Sequence, residues 1–323
     1  MITISLSKNS LEGKIPRELN NLKKLEILYL HSNNLTGEIP PYVGNISSLM
    51  ELSLSFNNLE GNLPKELGSA TSLTKLGVGS NKLSGVIPTS VYNISAIVIF
   101  SITNNFFSGD LPTNIGLALP NIQLLEIAGN QFYGNIPHSI TNASGLEILD
   151  LGWNKFEGQV PANLGDLSSL QILILGRNHF GTNSTRDLDF IASLTNNSNV
   201  KSVYLNDNNF GGEILKAMVY LSYKLVELNM GRNQLSGTIP EGFGNFENLF
   251  GLDISGNSLS GVLPRDFGKF QNLQYLALRL NRLSGEILPS LCNVTTLFHL
   301  DLAENEFEGR NIFDNVLINC SNL

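Results

Sequence analysis

The sequence is poor in the residues that catalytic and metal sites most often use. It has two cysteines and four histidines among 323 residues. Cys292 and Cys320 show neither the CxxC nor the Cys/His spacing of a metal site, and two cysteines are too few for a disulfide scaffold. They either bridge neighbouring segments or remain free thiols. The histidines are scattered, without an H-E-x-x-H motif or a nucleophile elbow. The sequence therefore predicts no catalytic centre, no metal and no cofactor.

Charged residues and long apolar runs are also scarce. Charged side chains make up 15% of the sequence, against about 25% in ordinary proteins. The net charge of −8 argues against nucleic acid as a partner, because phosphate backbones are bound by clustered Lys and Arg. The longest apolar run, near 96–100, is far shorter than the roughly 20 residues that span a bilayer, so we expect no membrane insertion. Strand-like sequence follows Met1 at once, where a signal peptide would lie. We therefore expect the chain to be a piece of a longer protein.

An asparagine two residues before a Leu or Phe recurs thirteen times, mostly at a spacing of 24 residues. Apolar residues stand five and three positions before each asparagine in every repeat. This L-x-L alternation predicts a short strand with two side chains pointing inward. The repeated asparagines are Asn9, Asn33, Asn57, Asn81, Asn105, Asn130, Asn154, Asn178, Asn208, Asn233, Asn257, Asn281 and Asn305. We predict a single array over 1–323 of 13 repeats of about 24 residues, with a longer repeat at 178–208 and both terminal caps missing.

Other positions of the repeat have equally clear physical roles. The asparagine carboxamide can satisfy buried backbone groups at the turn after each strand, so the asparagines should form a ladder. Glycine stands four residues after the asparagine in 12 of 13 repeats, which suits a positive φ. The residue two positions after the asparagine is Phe in five successive repeats, and these rings should stack in the core: Phe107, Phe132, Phe156, Phe180 and Phe210.

This L-x-x-L-x-L-x-x-N-x-L-x-G-x-I-P unit, clear at 25–40, resembles the plant-type leucine-rich repeat over essentially the whole chain. The resemblance implies an α/β repeat solenoid, a right-handed leucine-rich-repeat superhelix with a concave parallel β-sheet. A further short strand is expected near the L-x-G-x-I-P segment.

The longer repeat contains an insertion at 181–194. Ser184 with Asp187 forms a candidate N-terminal capping box for a short helix, with Leu188, Ile191 and Leu194 on one face. We interpret the insertion as a longer connection on the convex side rather than as a binding element. Its T-N-S-T-x-D-L-D-F string is similar to that of a plant receptor-kinase group that includes pattern-recognition and disease-resistance receptors.

The resemblance implies the extracellular ligand-recognition region of a plant leucine-rich-repeat receptor-like kinase, in immune or developmental signalling. The parent would carry a serine/threonine kinase that this chain lacks. Its expected partners are a peptide or protein ligand and a co-receptor kinase, and its expected location is the extracellular face of the plasma membrane. Two alternatives remain open: a secreted inhibitor of a pathogen cell-wall-degrading enzyme, located in the apoplast, or a kinase-less receptor-like protein. The D-F-G sequence at 266–268 fills a slot of the repeat consensus and does not indicate a kinase.

Residues four, two and one before each asparagine should point outward from the sheet and form columns on its concave face. Most are small, so the aromatic and charged exceptions are the candidate ligand-binding residues, since Trp, Tyr and Arg dominate binding hot spots. They are Tyr29, Phe56, Glu126, Asp150, Trp153, Arg177, Tyr204, Arg232, Asp253, Arg279 and Asp301. Their mixed charge suits an extended peptide.

Eight N-x-S/T sequons are candidate glycosylation sites. They are Asn34, Asn45, Asn93, Asn142, Asn183, Asn196, Asn293 and Asn319. Four of them lie twelve residues after a ladder asparagine, a position away from the sheet. Glycans there would leave the concave face bare, as in a protein of the secretory pathway, although the repeat consensus itself supplies some sequons.

Overall fold

The computed structural model describes residues 2–214 and 216–309. The chain divides into two compact units between Phe156 and Glu157, and each is described by itself. The single array without terminal caps stays a prediction.

The first unit is built on a parallel sheet of three-residue strands, here called its main sheet. Each strand pairs with the strand one repeat later at the same repeat position, as in Ile4↔Leu28 and Leu28↔Leu52. The central residue of each strand points inward, and Leu28, Leu52 and Leu76 are fully buried. The strands are Thr3–Ser5, Ile27–Tyr29, Glu51–Ser53, Lys75–Gly77, Ile99–Ser101, Leu124–Glu126 and Ile148–Asp150.

A second row of parallel strands follows each turn of the first unit, and a short helix follows that row. The strands are Glu12–Gly13, Asn34–Glu38, Asn58–Gly61, Lys82–Val86, Phe106–Gly109 and Gln131–Gly134. The boundary between the units falls within a further strand, Lys155–Gly158. The 3₁₀-helices are Arg17–Asn21, Pro41–Asn45, Lys65–Ser69 and His138–Asn142, and the α-helices are Thr89–Tyr92 and Ile115–Ala118. Most start directly after a proline such as Pro64, whose φ of −69° is fixed by its ring.

The second unit repeats this plan. Its main-sheet strands are Ile172–Ile174, Ser202–Tyr204, Glu227–Asn229, Gly251–Asp253, Tyr275–Ala277 and His299–Asp301. Its outer strands are His179–Phe180, Ser260–Gly261, Arg282–Gly285 and Glu306–Phe307. Its 3₁₀-helices are Leu164–Asp166, Lys216–Tyr220, Phe243–Asn245, Arg265–Lys269 and Pro289–Asn293, and its α-helix is Asp189–Leu194. The parallel repeat architecture and the additional short strands are confirmed in each unit.

The asparagine ladder is confirmed in atomic detail. The Nδ2 of Asn81 donates to the carbonyl oxygens of Val78 in its own repeat and Leu54 in the preceding repeat, at 3.0 and 3.1 Å. Its Oδ1 accepts the backbone N–H of Leu59 at 2.9 Å. One buried side chain thus satisfies backbone groups of two repeats and holds them in register.

The predicted aromatic core and the glycine conformation are also confirmed. Phe132 and Phe156 are buried and stacked at 6.2 Å between ring centroids. Phe180 and Phe210 form the corresponding pair of the second unit, at 6.3 Å. The glycine four residues after the asparagine has a positive φ wherever it occurs, as at Gly61 with +77°.

One constraint of the repeat was not predicted from the sequence. In all thirteen repeats the residue directly before the ladder asparagine has a φ between +52° and +66°, although eleven of them are not glycine. Phe56, Trp153 and Leu280 occupy this left-handed conformation, which costs most residues about 1–2 kcal/mol. The tight turn that carries the ladder therefore imposes backbone strain in repeats whose residue at this position is not glycine.

The prediction for the insertion is partly wrong. Leu188, Ile191 and Leu194 are buried as predicted, but the helix Asp189–Leu194 has no side-chain cap. Ser184 and Asp187 do interact as a capping pair, but in the turn before the helix, whose N-cap is Leu188. The Ser184 Oγ accepts the backbone N–H of Arg186 at 3.2 Å, and the backbone N–H of Ser184 donates to the Asp187 carboxylate. This carboxylate, 2% exposed, accepts the backbone N–H groups of Thr182, Ser184 and Gly211 at 2.9–3.0 Å. Asp187 therefore fastens the insertion to the following repeat.

Candidate ligand-binding face

The outward surface of the main sheet in the second unit, here called the sheet face, contains two adjoining cavities. The first, the charged cavity, has a volume of about 340 Å³. It brings together five of the predicted ligand-binding residues. It is lined by Arg177, Asn206, Asp207, Asn229, Gly231, Arg232, Asp253, Ser255, Tyr275, Ala277, Arg279 and Asp301.

Charges alternate across this cavity. Asp207 lies between Arg177 and Arg232, at 3.6 and 3.5 Å, and Arg279 pairs with Glu304. Asp253 accepts the backbone N–H and the hydroxyl of Ser255, at 3.0 and 2.6 Å. The arginine side chains of these ion pairs are 43–74% exposed, so the pairs contribute little to stability and the guanidinium groups remain accessible to a ligand.

The second cavity, here called the aromatic cavity, has a volume of about 300 Å³. Of the predicted residues it contains only Tyr204 and Asp253. It is lined by Tyr204, Glu227, Leu228, Asn229, Phe250, Gly251, Asp253, Tyr275 and Phe298. It shares Asn229, Asp253 and Tyr275 with the charged cavity, so the two form one continuous surface.

Sequence reasoning missed Glu227, Phe250, Tyr275 and Phe298. They stand six or seven residues before a ladder asparagine, whereas the predicted residues stand four, two or one residues before it. Strand alternation places the sixth position on the same side as the fourth, so the period of two could have identified Glu227 and Tyr275. Phe250 and Phe298 directly precede a strand, and no pattern of the repeat predicts that they join the face.

Tyrosines in the aromatic cavity have raised pKa values. Burial and the hydrogen bond that the Tyr204 hydroxyl donates to Glu227 raise the pKa of Tyr204 to about 12. Burial, followed by the charges of Asp253 and Asp301, raises the pKa of Tyr275. Burial is the larger cause for both tyrosines, and the neighbouring carboxylates add to it.

The first unit carries the other predicted residues. Tyr29 donates a hydrogen bond to Glu51, which is the main reason that its pKa rises to about 12. The ammonium of Lys75 lies 5.4 Å from the centroid of the Tyr29 ring. Phe56 and Trp153 are 62% and 59% exposed, so both aromatic side chains are presented to solvent.

Glu126 and Asp150 lie directly opposite each other on neighbouring strands. The pKa of Asp150 rises to about 6, mainly because of burial, with a smaller contribution from the charge of Glu126. The backbone N–H of Gly152, which donates to Asp150 at 3.1 Å, acts in the opposite direction. Neither residue lines the charged cavity or the aromatic cavity.

A larger cavity of about 670 Å³ lies beside the outer strands of the second unit, away from the sheet face. Its lining includes Glu213, Ile239 and Glu241. Close by, Asp266 of the D-F-G sequence is buried and accepts the backbone N–H groups of Gly242 and Gly244. Phe267 is a core residue and is fully buried. The D-F-G sequence therefore fills a structural position of the repeat, as predicted.

Seven of the eight sequon asparagines are exposed. Asn45, Asn142 and Asn293 end short helices, and Asn93 directly follows one, so these four share one structural position opposite the main-sheet strands. Asn319 lies outside the described residues.

Cys292 is disulfide-bonded, and Cys320 lies outside the described residues. Within 2–214 and 216–309, no three His, Cys, Asp or Glu side chains are placed to share a metal ion. In the same part of the chain, no helix has the length and apolar character needed to cross a bilayer.

Comparison with known proteins matches the repeats directly. Family models described as leucine-rich repeat match residues 24–46, 48–70, 145–167, 196–219 and 223–283. The LRR receptor-like serine/threonine-protein kinase EFR of Arabidopsis thaliana is 39% identical over 69 residues, which are 21% of this chain and 7% of that protein.

Solved structures extend the match to almost the whole chain. A plant peptide hormone receptor, RGFR1 in complex with RGF2, superimposes with a TM-score of 0.86 and 30% identity, covering 95% of this chain and 48% of the receptor chain. The Arabidopsis receptor kinase HAESA, in complex with the peptide hormone IDA and the co-receptor SERK1, gives a TM-score of 0.63 and 26% identity, covering 95% and 62%. This chain thus spans less than two thirds of the length of these relatives.

The family-model matches are repeat segments, and the solved structures that superimpose include the leucine-rich-repeat ectodomain of HAESA, so the matched region is the repeat region and not a kinase domain. Together with the parallel strands, the asparagine ladder and the sheet face, they establish the family. The chain belongs to the leucine-rich-repeat family, with repeats of the kind that form the ectodomains of plant leucine-rich-repeat receptor kinases.

Proposed function

We propose that this chain is the extracellular ligand-recognition region of a plant leucine-rich-repeat receptor kinase, and that it binds an extended peptide on the sheet face of the second unit. The observation that carries the proposal is the continuous surface formed by the charged and aromatic cavities. It combines exposed arginines with aromatic rings, the residue types that contribute most to binding hot spots.

The shape of this surface favours a peptide over a compact small molecule. The two cavities adjoin across several parallel strands that lie about 4.8 Å apart, so an extended chain can contact both with successive side chains. The relatives solved with peptide hormones support the same class of ligand. The relative solved with a co-receptor supports a co-receptor kinase as the second partner.

Glycosylation at the exposed sequons would agree with this assignment. Asn45, Asn93, Asn142 and Asn293 lie opposite the main-sheet strands, so glycans there would leave the sheet face free. Mass spectrometry of the chain secreted from plant cells should find glycans at these four positions.

The peptide-binding proposal is tested by panning a displayed library of random dodecapeptides on the folded chain. Selected peptides should bind the Arg232→Ala and Tyr275→Ala variants at least about tenfold more weakly, the usual loss for one hot-spot side chain. Tyr220→Ala is the matched control, because Tyr220 is 74% exposed and lies away from the sheet face. Circular dichroism should be the same for all variants. Equal affinity for the two sheet-face variants and the parent chain would refute the assignment of the site.

A further inference from the structure

The two units contain the same tyrosine–glutamate pair at equivalent positions of the main sheet. In the first unit Tyr29 donates to Glu51 on the next strand, and in the second Tyr204 donates to Glu227 on the next strand. The strand registers agree, since Ile27 pairs with Glu51 as Ser202 pairs with Glu227. The chain therefore provides an internal comparison between two copies of one arrangement.

The copies differ on the third strand. Glu51 pairs with Lys75, whose ammonium lies over the Tyr29 ring. In the second unit the residue paired with Glu227 is Gly251. The first copy thus receives a cation from its own chain, whereas the second has no side chain at that position.

The aromatic cavity occupies the place that Gly251 leaves open. A Cβ added at Gly251 would have only the Cγ of Glu227 within 4 Å, at 3.9 Å. The rings of Tyr204, Phe250, Tyr275 and Phe298 line the cavity together with the carboxylates of Glu227 and Asp253. None of the described residues that line it is a lysine or an arginine.

We propose that the aromatic cavity binds a cationic side chain, lysine or arginine, of the peptide recognised by the sheet face. The ligand cation takes the place that Lys75 occupies in the first unit. This inference rests on the proposed function, since it assigns one side chain of the peptide bound there.

The chemistry of the cavity favours a cation over an apolar side chain. Aromatic faces attract a cation through their quadrupoles, and the attraction strengthens as the cation is desolvated. Glu227 and Asp253 supply the opposite charge, and the Tyr204 hydroxyl keeps the Glu227 carboxylate in place. An apolar side chain would gain ring contacts but would bring these carboxylates against a group that cannot bind them.

The test pans the dodecapeptide library on the parent chain and on Gly251→Lys, which supplies the cation from within the chain as Lys75 does. Gly251→Gln controls for added bulk. Asn209→Lys controls for added charge, because Asn209 is exposed on the outer side of the same unit. Peptides from the parent chain should contain a recurrent lysine or arginine, and replacing an arginine by its neutral isostere citrulline should weaken binding at least fivefold. Gly251→Lys should weaken the binding of these peptides at least tenfold, and the two control substitutions should weaken it less than threefold.

The outcomes separate this inference from the proposed function. Peptides that lose affinity on Arg232→Ala but carry no recurrent basic residue would overturn the inference and leave peptide binding intact. The same holds if Gly251→Lys and Gly251→Gln weaken binding equally. Failure to select any peptide sensitive to Arg232→Ala or Tyr275→Ala would overturn both.

Discussion

At the scale of single residues, the turn before each ladder asparagine holds side chains in a conformation that disfavours most of them. Leu280 has a φ of +56° and is 48% exposed, so its burial compensates little of that strain. Asparagine tolerates this conformation better than leucine. Leu280→Asn should therefore raise the free energy of unfolding by about 1 kcal/mol, measured by urea denaturation. The control Val262→Asn removes an apolar side chain that is 63% exposed and whose backbone does not have a positive φ, so it should not stabilise the chain. Equal effects of the two substitutions would contradict the role of backbone strain.

Asp150 provides a residue-scale prediction about pH. Its pKa in the folded chain is about 6, above the ordinary 3.8, so the folded state binds the proton more tightly than the unfolded state. The free energy of unfolding should fall as the pH rises from about 4 to 6, because ionising the partly buried carboxyl is unfavourable. Allowing for partial solvation, the decrease is about 2 kcal/mol.

Denaturant titrations of the parent chain and Asp150→Asn at several pH values measure this effect. Asp150→Asn should remove most of the decrease in the free energy of unfolding between about pH 4 and pH 6. Glu126→Gln should remove only a small part, because burial contributes more than the charge of Glu126. A pH dependence unchanged in Asp150→Asn would refute the assignment to this carboxyl.

At the scale of elements, the insertion depends on one buried carboxylate. Asp187 accepts three backbone N–H groups, including that of Gly211 in the next repeat. Asp187→Ala leaves these donors without their acceptor. We expect the free energy of unfolding to fall by about 3 kcal/mol. Asp189→Ala is the matched control, because the Asp189 carboxylate forms an exposed ion pair with Arg186. This substitution should lower the free energy of unfolding by less than about 1 kcal/mol. Hydrogen exchange should show faster exchange of the Gly211 amide in Asp187→Ala only. An equal cost for both variants would show that the carboxylate does not fasten the insertion.

The same elements show how far a sequence of this kind predicts its structure. The ladder asparagines, the core phenylalanines and the glycine turns were predictable because each depends on its own repeat and recurs. The role of Asp187 was not, because one of its donors, Gly211, is 24 residues away. The aromatic cavity was only partly predictable. Tyr204 could be predicted from its position in the repeat. The cavity itself depends on the combination of Gly251 with rings from four different repeats, and a repeating pattern does not predict such a combination.

At the scale of the whole molecule, stability depends on interfaces between neighbouring repeats, as in other repeat proteins. The ladder asparagines are part of those interfaces, and the contribution of each asparagine to the free energy of unfolding should depend on its position in the array. Asn81 is buried and bonded to the backbone of both its own repeat and the preceding one. Asn9 is exposed, and its Nδ2 donates only within its own repeat, to Leu6 and Ser7.

Asn81→Ala should therefore lower the free energy of unfolding by about 3 kcal/mol, because it leaves buried backbone groups unpaired in two repeats. Asn9→Ala should cost less than about 1 kcal/mol, since water replaces the lost hydrogen bonds. In hydrogen exchange, the Leu59 amide, which donates to Asn81, should lose protection in Asn81→Ala although it lies 22 residues away in sequence. If the two substitutions cost the same, or if exchange changed only within the repeat of Asn81, the ladder would not couple neighbouring repeats. If the prediction holds, each unit derives its rigidity from contacts between repeats, and the sheet face keeps its shape without contributions from its own exposed side chains.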